Sequence, residues 1–353
     1  MNPVTDMTST SSQHLGPGKL PGSLLARLIS DYRTPADDAV IVEAGYGFDA
    51  AALSIGNETL LVKSDPITFA TDGAAHYLVA VNANDIACMG GIPRWMTVVA
   101  LFPEHSSTVD LVERHFADLQ EACLQSGITL IGGHTEITLG LDRPLLIATM
   151  LGTAGPTGLL TPGKASAGDE LYVTKWIGIE GTSILAQERT NALSTVFGDE
   201  TVALAADLIH NPGISIVRDA RLALGSGVVT ALHDPTEGGL ATAVHEMADA
   251  SGLGATLHRE RIPIRSDTAT FCAHYDIEPL GLLSSGALLI GAKPGSEPIL
   301  QAALSPAGIQ LSRIGTLTSP DSGVRLVANG DSFPLPRYDA DELTRVLRAD
   351  SGE

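Results

Sequence analysis

Acidic residues at unusual positions are the first places in this chain where chemistry could be done. Asp49 follows the segment Gly45-Tyr46-Gly47-Phe48, and Asp65 ends the run Leu60-Leu61-Val62-Lys63-Ser64 before Pro66. Each is either a ligand or an ordinary turn former, because aspartate favours both turns and the position before proline. Asp85 lies in Ala80–Met89, an otherwise apolar stretch of helical character, three residues after Asn82 and so on the same face. A carboxylate in the C-terminal half of a helix is opposed by the helix dipole. Asp85 therefore needs a compensating cation, either a metal ion or a Lys/Arg partner. In the second half, Asp234-Pro235-Thr236-Glu237 reads as an N-cap, a first-turn proline and a capping box. That leaves Gly238 and Gly239 unexplained, since each costs about 1 kcal/mol in a helix relative to alanine. Close approach of a ligand or of another backbone would account for them, and a helix N-terminus is a natural phosphate seat.

Gly132-Gly133-His134-Thr135-Glu136 follows the apolar run Ile128–Ile131. Paired glycines let backbone N–H groups approach a phosphate, although they also serve in plain turns. His134 is either a ligand or a satisfied polar residue, and hard divalent cations prefer oxygen to it. Nothing else offers a familiar engine. Ser183 and Ser194 lack nucleophile-elbow spacing, no Cys/His pair stands out, and no G-x-x-x-x-G-K-[ST] loop is present.

The 353 residues fit about two domains. Lys and Arg number 21 against 41 Asp and Glu, a formal charge of −20, with 44% hydrophobic and 18% charged residues. This is a globular composition with a sizeable core. Its charge argues against a general nucleic-acid binder, but not against phosphates held through divalent cations and N–H groups. Cys88, Cys123 and Cys272 are too few and scattered for a disulfide framework or zinc knuckle. Met1–Gln13 lacks signal-peptide character, and no apolar run reaches the ~18 residues of a membrane span. The expectation is a cytoplasmic protein with no membrane or nucleic-acid partner.

Positioning these residues requires two α/β halves. Residues 1–15 read as a flexible tail. Short strands with tight turns follow over 38–62, then a helix over 77–89, a strand over 93–102, an amphipathic helix over 107–126, a buried strand over 128–131 running into the Gly-Gly turn, and a strand over 145–151. The Gly/Pro-rich stretch 152–168 marks a boundary. Beyond it come a strand over 170–174, helices near 182–193, 199–210 and 214–224, a strand over 228–232, a helix over 236–251, strands near 255–258 and 286–291, and a helix over 339–348.

In their order and spacing, five segments resemble the aminoimidazole ribonucleotide (AIR) synthetase, or PurM-like, superfamily: GYGFDAA (45–51), KSDP (63–66), NDIACMGGIPRW (84–95), GGHTE (132–136) and DPTEGGLATAVHEMADASG (234–252). DPTEGGLA is most similar to the HypE branch, which serves hydrogenase maturation. The resemblance implies an α/β (α+β) fold of two PurM-like domains, an ATP-binding and dimerising one over 16–155 and a second over 165–348. It also implies ATP and Mg²⁺ as cofactors and a homodimer formed through the N-terminal sheet. Carried across residue by residue, Asp49, Asp65, Asp85 and Asp234 become metal ligands, and Asn84, Gly132, Gly133, His134, Thr135, Gly238 and Gly239 line the nucleotide. Lys19 and Asp85 become catalytic.

The expected activity is phosphorylation, by ATP, of an oxygen or other nucleophile on a small or partner-bound substrate. A small-molecule kinase resembling thiamine-monophosphate kinase and a non-catalytic nucleotide-binding protein are the alternatives. Departures from the pattern matter. HypE proteins end in Pro-Arg-[Ile/Val]-Cys, whereas Pro336-Arg337 is followed here by Tyr338-Asp339, so HypE's reaction on its own terminal thiol is not expected. Gly16–Pro21 is similar to the dikinase loop that carries a reactive Cys and Lys, and only Lys19 is kept. Thiamine-monophosphate kinases usually place Asp where His134 stands.

Overall fold

A computed structural model describes residues 19–32, 34–43, 45–68 and 73–348, so the expected tail over 1–15 lies outside it. The chain forms two mixed α/β units, each built on one sheet. In the first, helix α1 (Gly22–Asp31) precedes strands β1 (Val40–Val42), β2 (Ala51–Ile55) and β3 (Glu58–Ile67), helix α2 (Ala74–Cys88), strand β4 (Gly91–Pro103), helix α3 (Val109–Ser126) and strands β5 (Thr129–Thr138) and β6 (Leu145–Ala154). The sheet order is β1-β2-β3-β6-β4-β5, antiparallel except for β4 with β5. Gly56-Asn57 closes the β2–β3 hairpin with Ile55 opposite Glu58, as a two-residue turn with a positive-φ glycine should. Every second residue in much of β4 and β6 is buried, which turns one sheet face onto α2 and α3.

The second unit begins with strand β7 (Glu170–Thr174) and helices α4 (Ile179–Glu188), α5 (Thr190–Phe197), α6 (Asp199–Ala206) and α7 (Val217–Gly225). Strand β8 (Val229–His233), helix α8 (Gly239–Ser251), strand β9 (Gly254–His258), helix α9 (Ser266–His274), strand β10 (Leu289–Ala292) and helix α10 (Glu297–Leu304) come next. Strands β11 (Leu311–Thr318), β12 (Val324–Ala328) and β13 (Asp331–Pro334) and helix α11 (Glu342–Arg348) complete it. The strand order is β13-β12-β9-β11-β7-β10-β8. Strands β7 and β10 are buried along their whole length because both faces are covered. Leu171 and Val173 pack with α8, and Tyr172 packs with α7 and α10.

Helix α2 is apolar on every side because it is buried on every side. Leu78, Val79 and Ile86 join the core of the first sheet, Tyr77 and Ala80 join the α4 cluster, and Ala87 and Cys88 join the α7 cluster. It is the wall shared by the two units, and its three buried polar residues, Asn82, Asn84 and Asp85, sit on that wall.

Several expected elements take a different form. The helix expected over 182–193 is broken at Arg189 into α4 and α5. The sequence reading places no helix at α1, α9 or α10 and no strand at β11–β13. The Gly132–Thr135 turn does not exist: these residues continue β5, an exposed edge strand rather than a buried one. Gly133 has φ 151°, and a Cβ there would lie 1.8 Å from Val98 O, so the glycine permits close pairing with β4 beside a register shift. The helix expected from Thr236 begins at Gly239, and the capping box does not form. Asp341 Oδ2 instead accepts the Gly238 N–H at 2.8 Å.

Candidate active site

Strand alternation puts Lys63 and Asp65 on one face of β3. Asn82, one turn before Asp85 on α2, fixes the end of that strand by accepting the Asp65 N–H at 3.1 Å. Lys63 Nζ lies 3.0 Å from Asp85 Oδ2 and 3.1 Å from Asp65 Oδ2. Part of the cation that Asp85 requires is therefore a lysine. Burial alone would lower the Lys63 pKa, but Asp85 and then Asp65 outweigh it and hold the ammonium charged.

The other wall is built from β8 and α8. His233, the last residue of β8, contacts Asp49 Oδ1 through Nδ1 at 2.6 Å and Glu246 Oε2 through Nε2 at 2.9 Å. Burial favours the neutral ring, yet carboxylates on both nitrogens raise its pKa well above the usual value and favour the imidazolium. With both nitrogens engaged by carboxylates, the ring as it stands offers no free lone pair, although it lies beside Asp49 and Asp234. Gly47, with φ 78°, brings the Asp49 loop against α8, where a Cβ would meet Glu246 O at 2.6 Å. Lys19 Nζ reaches Glu246 Oε1 at 3.3 Å and Thr236 Oγ1 at 3.2 Å. Glu246 is desolvated, but Lys19 and His233 pull its pKa down to about 2.

These groups surround a cleft of about 280 Å³, lined by Lys19, Asp49, Lys63, Asp65, Asp85 and Asp234 among others. Six carboxylates (Asp49, Asp65, Asp85, Asp234, Glu246 and Asp339) face four cations (Lys19, Lys63, His233 and Arg337). The deficit falls on two of the acids. Burial, which Lys63 only partly offsets, raises Asp85 well above its usual range, with Asp234, Asp65 and Asp49 adding repulsion. Burial and then Asp49 push Asp234 up to about 7. Asp234 Oδ2 is fully buried and has no hydrogen-bond partner among the described residues. A set of oxygen donors short by two positive charges, with one donor atom orphaned, fits a hard divalent cation.

The remaining sequence candidates have other surroundings. Asn84 is fully buried, and its amide bridges the two units, accepting the Ile216 N–H at 2.9 Å and donating to Ile214 O at 3.0 Å. Gly238 and Gly239 have φ 78° and 62°, and Cβ atoms there would meet Tyr338 O at 2.6 Å and Leu280 O at 2.4 Å. Another backbone, rather than a ligand, explains this pair. Gly132, Gly133, His134 and Thr135 line a separate hollow beside α3, where the exposed His134 contacts Glu136 Oε2 at 3.1 Å.

Lys63, His233 and Glu246 were missed as site residues. The signal for Glu246 was its place within the motif over 234–252, and for His233 its place immediately before that motif. Cys88, Cys123 and Cys272 are buried, and none lines the cleft.

The AIR synthase related protein N-terminal domain matches residues 47–154, and the corresponding C-terminal domain matches residues 166–327. The chain belongs to the AIR synthase related family. Lys19 and the Leu335–Arg348 segment lie outside both matches. Within the family, the chain is 27% identical over 342 residues to a putative hydrogenase expression/formation protein of Methanocaldococcus jannaschii, covering 90% of this chain and 96% of that one. It is 25% identical over 346 residues to the carbamoyl dehydratase HypE of Rhodobacter capsulatus, covering 94% and 96%. A crystal structure of the hydrogenase maturation protein HypE in complex with ATP superposes with a TM-score of 0.67 at 21% identity, covering 91% of this chain and 96% of that chain.

Proposed function

We propose that this protein is an ATP- and Mg²⁺-dependent enzyme that transfers the terminal phosphoryl group to an oxygen of a small or partner-bound acceptor. The observation that carries this reading is the charge deficit of the cleft, with the orphaned Asp234 Oδ2 among its carboxylates. Its HypE relatives and a HypE structure containing ATP support it. Asp49, Asp65, Asp85 and Asp234 would hold the metal. When bound, Mg²⁺ neutralises phosphate charge and orients the terminal phosphoryl group.

The chain's own groups do the rest. Glu246 raises the Lys19 pKa against the lowering effect of burial, so Lys19 acts as a fixed cation facing the transferring group rather than as a base. Lys63 pairs with Asp65 and Asp85, and His233 with Asp49, which holds these carboxylates in place. The acceptor oxygen forms its bond to phosphorus as the bond to the bridging oxygen of ATP breaks. ADP leaves, and the acceptor's proton goes to solvent.

The protein acts as a homodimer in this reading. The exposed edge strand β5 carries Ile131 and Ile137, more than half exposed, beside exposed Leu124 and Leu139, an apolar surface suited to a second copy. The test of the activity is a screen of acceptors for stimulated ADP release. Stimulation that requires Mg²⁺ and is lost in Lys19→Met is expected, whereas release indifferent to both would refute the assignment.

A further inference from the structure

Neither family domain reaches the Leu335–Arg348 segment, yet that segment is bound along α8. The Leu335 carbonyl contacts His245 Nε2 at 3.1 Å. Thr242 Oγ1 accepts the Tyr338 N–H at 3.3 Å and donates to the Tyr338 carbonyl at 3.1 Å. Asp341 then reaches Gly238. Leu335, Tyr338 and Asp341 are three residues apart, and each meets α8 about one turn closer to its start. Leu335 is buried in the core of the second unit on one side, and Leu343 and Val346 of α11 are buried in the α4 cluster on the other. The segment is therefore anchored at both ends.

Asp341 ends this descent with both carboxylate oxygens engaged. It is 2% exposed, and Oδ2 accepts the Gly238 N–H at 2.8 Å while Oδ1 accepts the Leu343 N–H at 2.9 Å. Gly238 is the N-cap of α8 and has no side chain of its own to offer. In a capping box the N-cap N–H is taken by an acid three residues on. That position is Ala241 here, and the acid comes from the C-terminal segment instead. Gly238 also closes the turn that begins at Asp234, between β8 and α8. On the strand side of this turn, His233 is held by Asp49 and Glu246. On the helix side, Asp341 holds Gly238. The carboxylate of Asp234 is presented to the cleft from between these two anchors.

We propose that Asp341 is a positioning residue of the acidic cleft. By holding Gly238 it fixes the Asp234–Gly238 turn, and with it the direction in which Asp234 offers its oxygens to a divalent cation. Asp341 is not among the residues lining the cleft and acts only through the backbone. The C-terminal segment is in this account part of the support of the metal site. The inference rests on the reading of the cleft as metal-binding, and its test separates the two.

The probe is Mn²⁺, which takes the same oxygen donors as Mg²⁺, titrated into the full chain without nucleotide and followed by loss of its free-ion paramagnetic resonance signal. Asp341→Asn keeps the size of the side chain but replaces one of its two accepting oxygens, so it cannot hold Gly238 and Leu343 together. It should weaken Mn²⁺ binding about tenfold. Asp234→Asn should also weaken it, and the double variant should bind no more weakly than Asp234→Asn alone, because holding the turn is of no use once its donor is gone. Glu342→Gln is the control. It loosens the same segment by disturbing the pair with Arg345, and should lower the melting temperature without changing Mn²⁺ affinity. Amide hydrogen exchange of the peptide containing Gly238 should quicken in Asp341→Asn and not in Glu342→Gln. Should Asp341→Asn not fold, Asp341→Glu, which keeps both oxygens but displaces them, takes its place with the same outcomes deciding. Mn²⁺ affinity unchanged at position 341, an equal loss in Glu342→Gln, or additive losses in the double variant would overturn the positioning role and leave the metal site standing. A wild type that binds no Mn²⁺ would remove the metal site and the positioning role together.

Discussion

Lys63 is wedged between Asp65 and Asp85, which separates two roles for Asp85 that charge alone would merge. As a member of a buried ion pair it stabilises the fold, and as a carboxylate near Asp234 it destabilises it. Lys63→Met leaves two carboxylates facing each other without their cation, and should cost about 3 kcal/mol in chemical denaturation. Asp85→Asn leaves Lys63 paired with Asp65 and relieves the repulsion from Asp234. It should therefore unfold within about 1 kcal/mol of wild type while weakening Mg·ATP binding about tenfold, ~1.4 kcal/mol.

The pH dependence follows from the same group. Asp234 titrates near 7 in the folded protein, well above the unfolded value of about 4. The stability it contributes is complete below the unfolded value and is lost as pH rises through about 7. Glu180, at about 8, and Asp341, at about 7, act in the same direction. The melting temperature of the metal-free protein should fall between pH 5.5 and 8.5, less steeply in Asp234→Asn and less steeply with Mg²⁺. A melting temperature that rises across that range would contradict the assignment. Asp85's need for a cation was legible from its place in an apolar helix. Lys63 as part of the answer was not, because its proximity depends on β3 lying alongside α2.

At the scale of elements, Gly133 and the pair Gly238-Gly239 are places where backbone meets backbone. Gly132-Gly133 and Gly238-Gly239 look like phosphate loops in the sequence because local text records that something comes close and not what. The partners, Val98 in one case and Leu280 and Tyr338 in the other, arrive from other parts of the chain. Gly133→Ala would drive a methyl into the Val98 carbonyl and unpair β4 from β5. A loss of several degrees in melting temperature is the expected result of thermal denaturation, and an unchanged melting temperature would refute this account of the pair. The capping box failed for a related reason. Asp234 is drawn into the cleft, and Asp341, more than 100 residues later, takes over the start of α8. Helices with a strong apolar stripe and a closing glycine, such as α3 with Gly127, were readable because their signals are local.

The whole molecule is two sheets with α2 between them, and the cleft is complete only where the first unit brings Asp49, Asp65 and Asp85 to Asp234 of the second. The two-part organisation was visible in the Gly/Pro-rich stretch after β6. The closing position of the Leu335–Arg348 segment, where Arg337 lies over the Tyr46 ring, had no local signal. Light scattering at micromolar concentration should give about twice the chain mass of 36.6 kDa, and a monomer would contradict the role given to β5.

The most direct test of the central claim is calorimetric titration of ATP into wild type and Asp85→Asn, each with excess Mg²⁺ and again with EDTA. A metal-centred cleft predicts binding to wild type that EDTA abolishes, and binding to Asp85→Asn that is about tenfold weaker with Mg²⁺ present. ATP affinity unchanged by EDTA, or unchanged by the substitution, would contradict it.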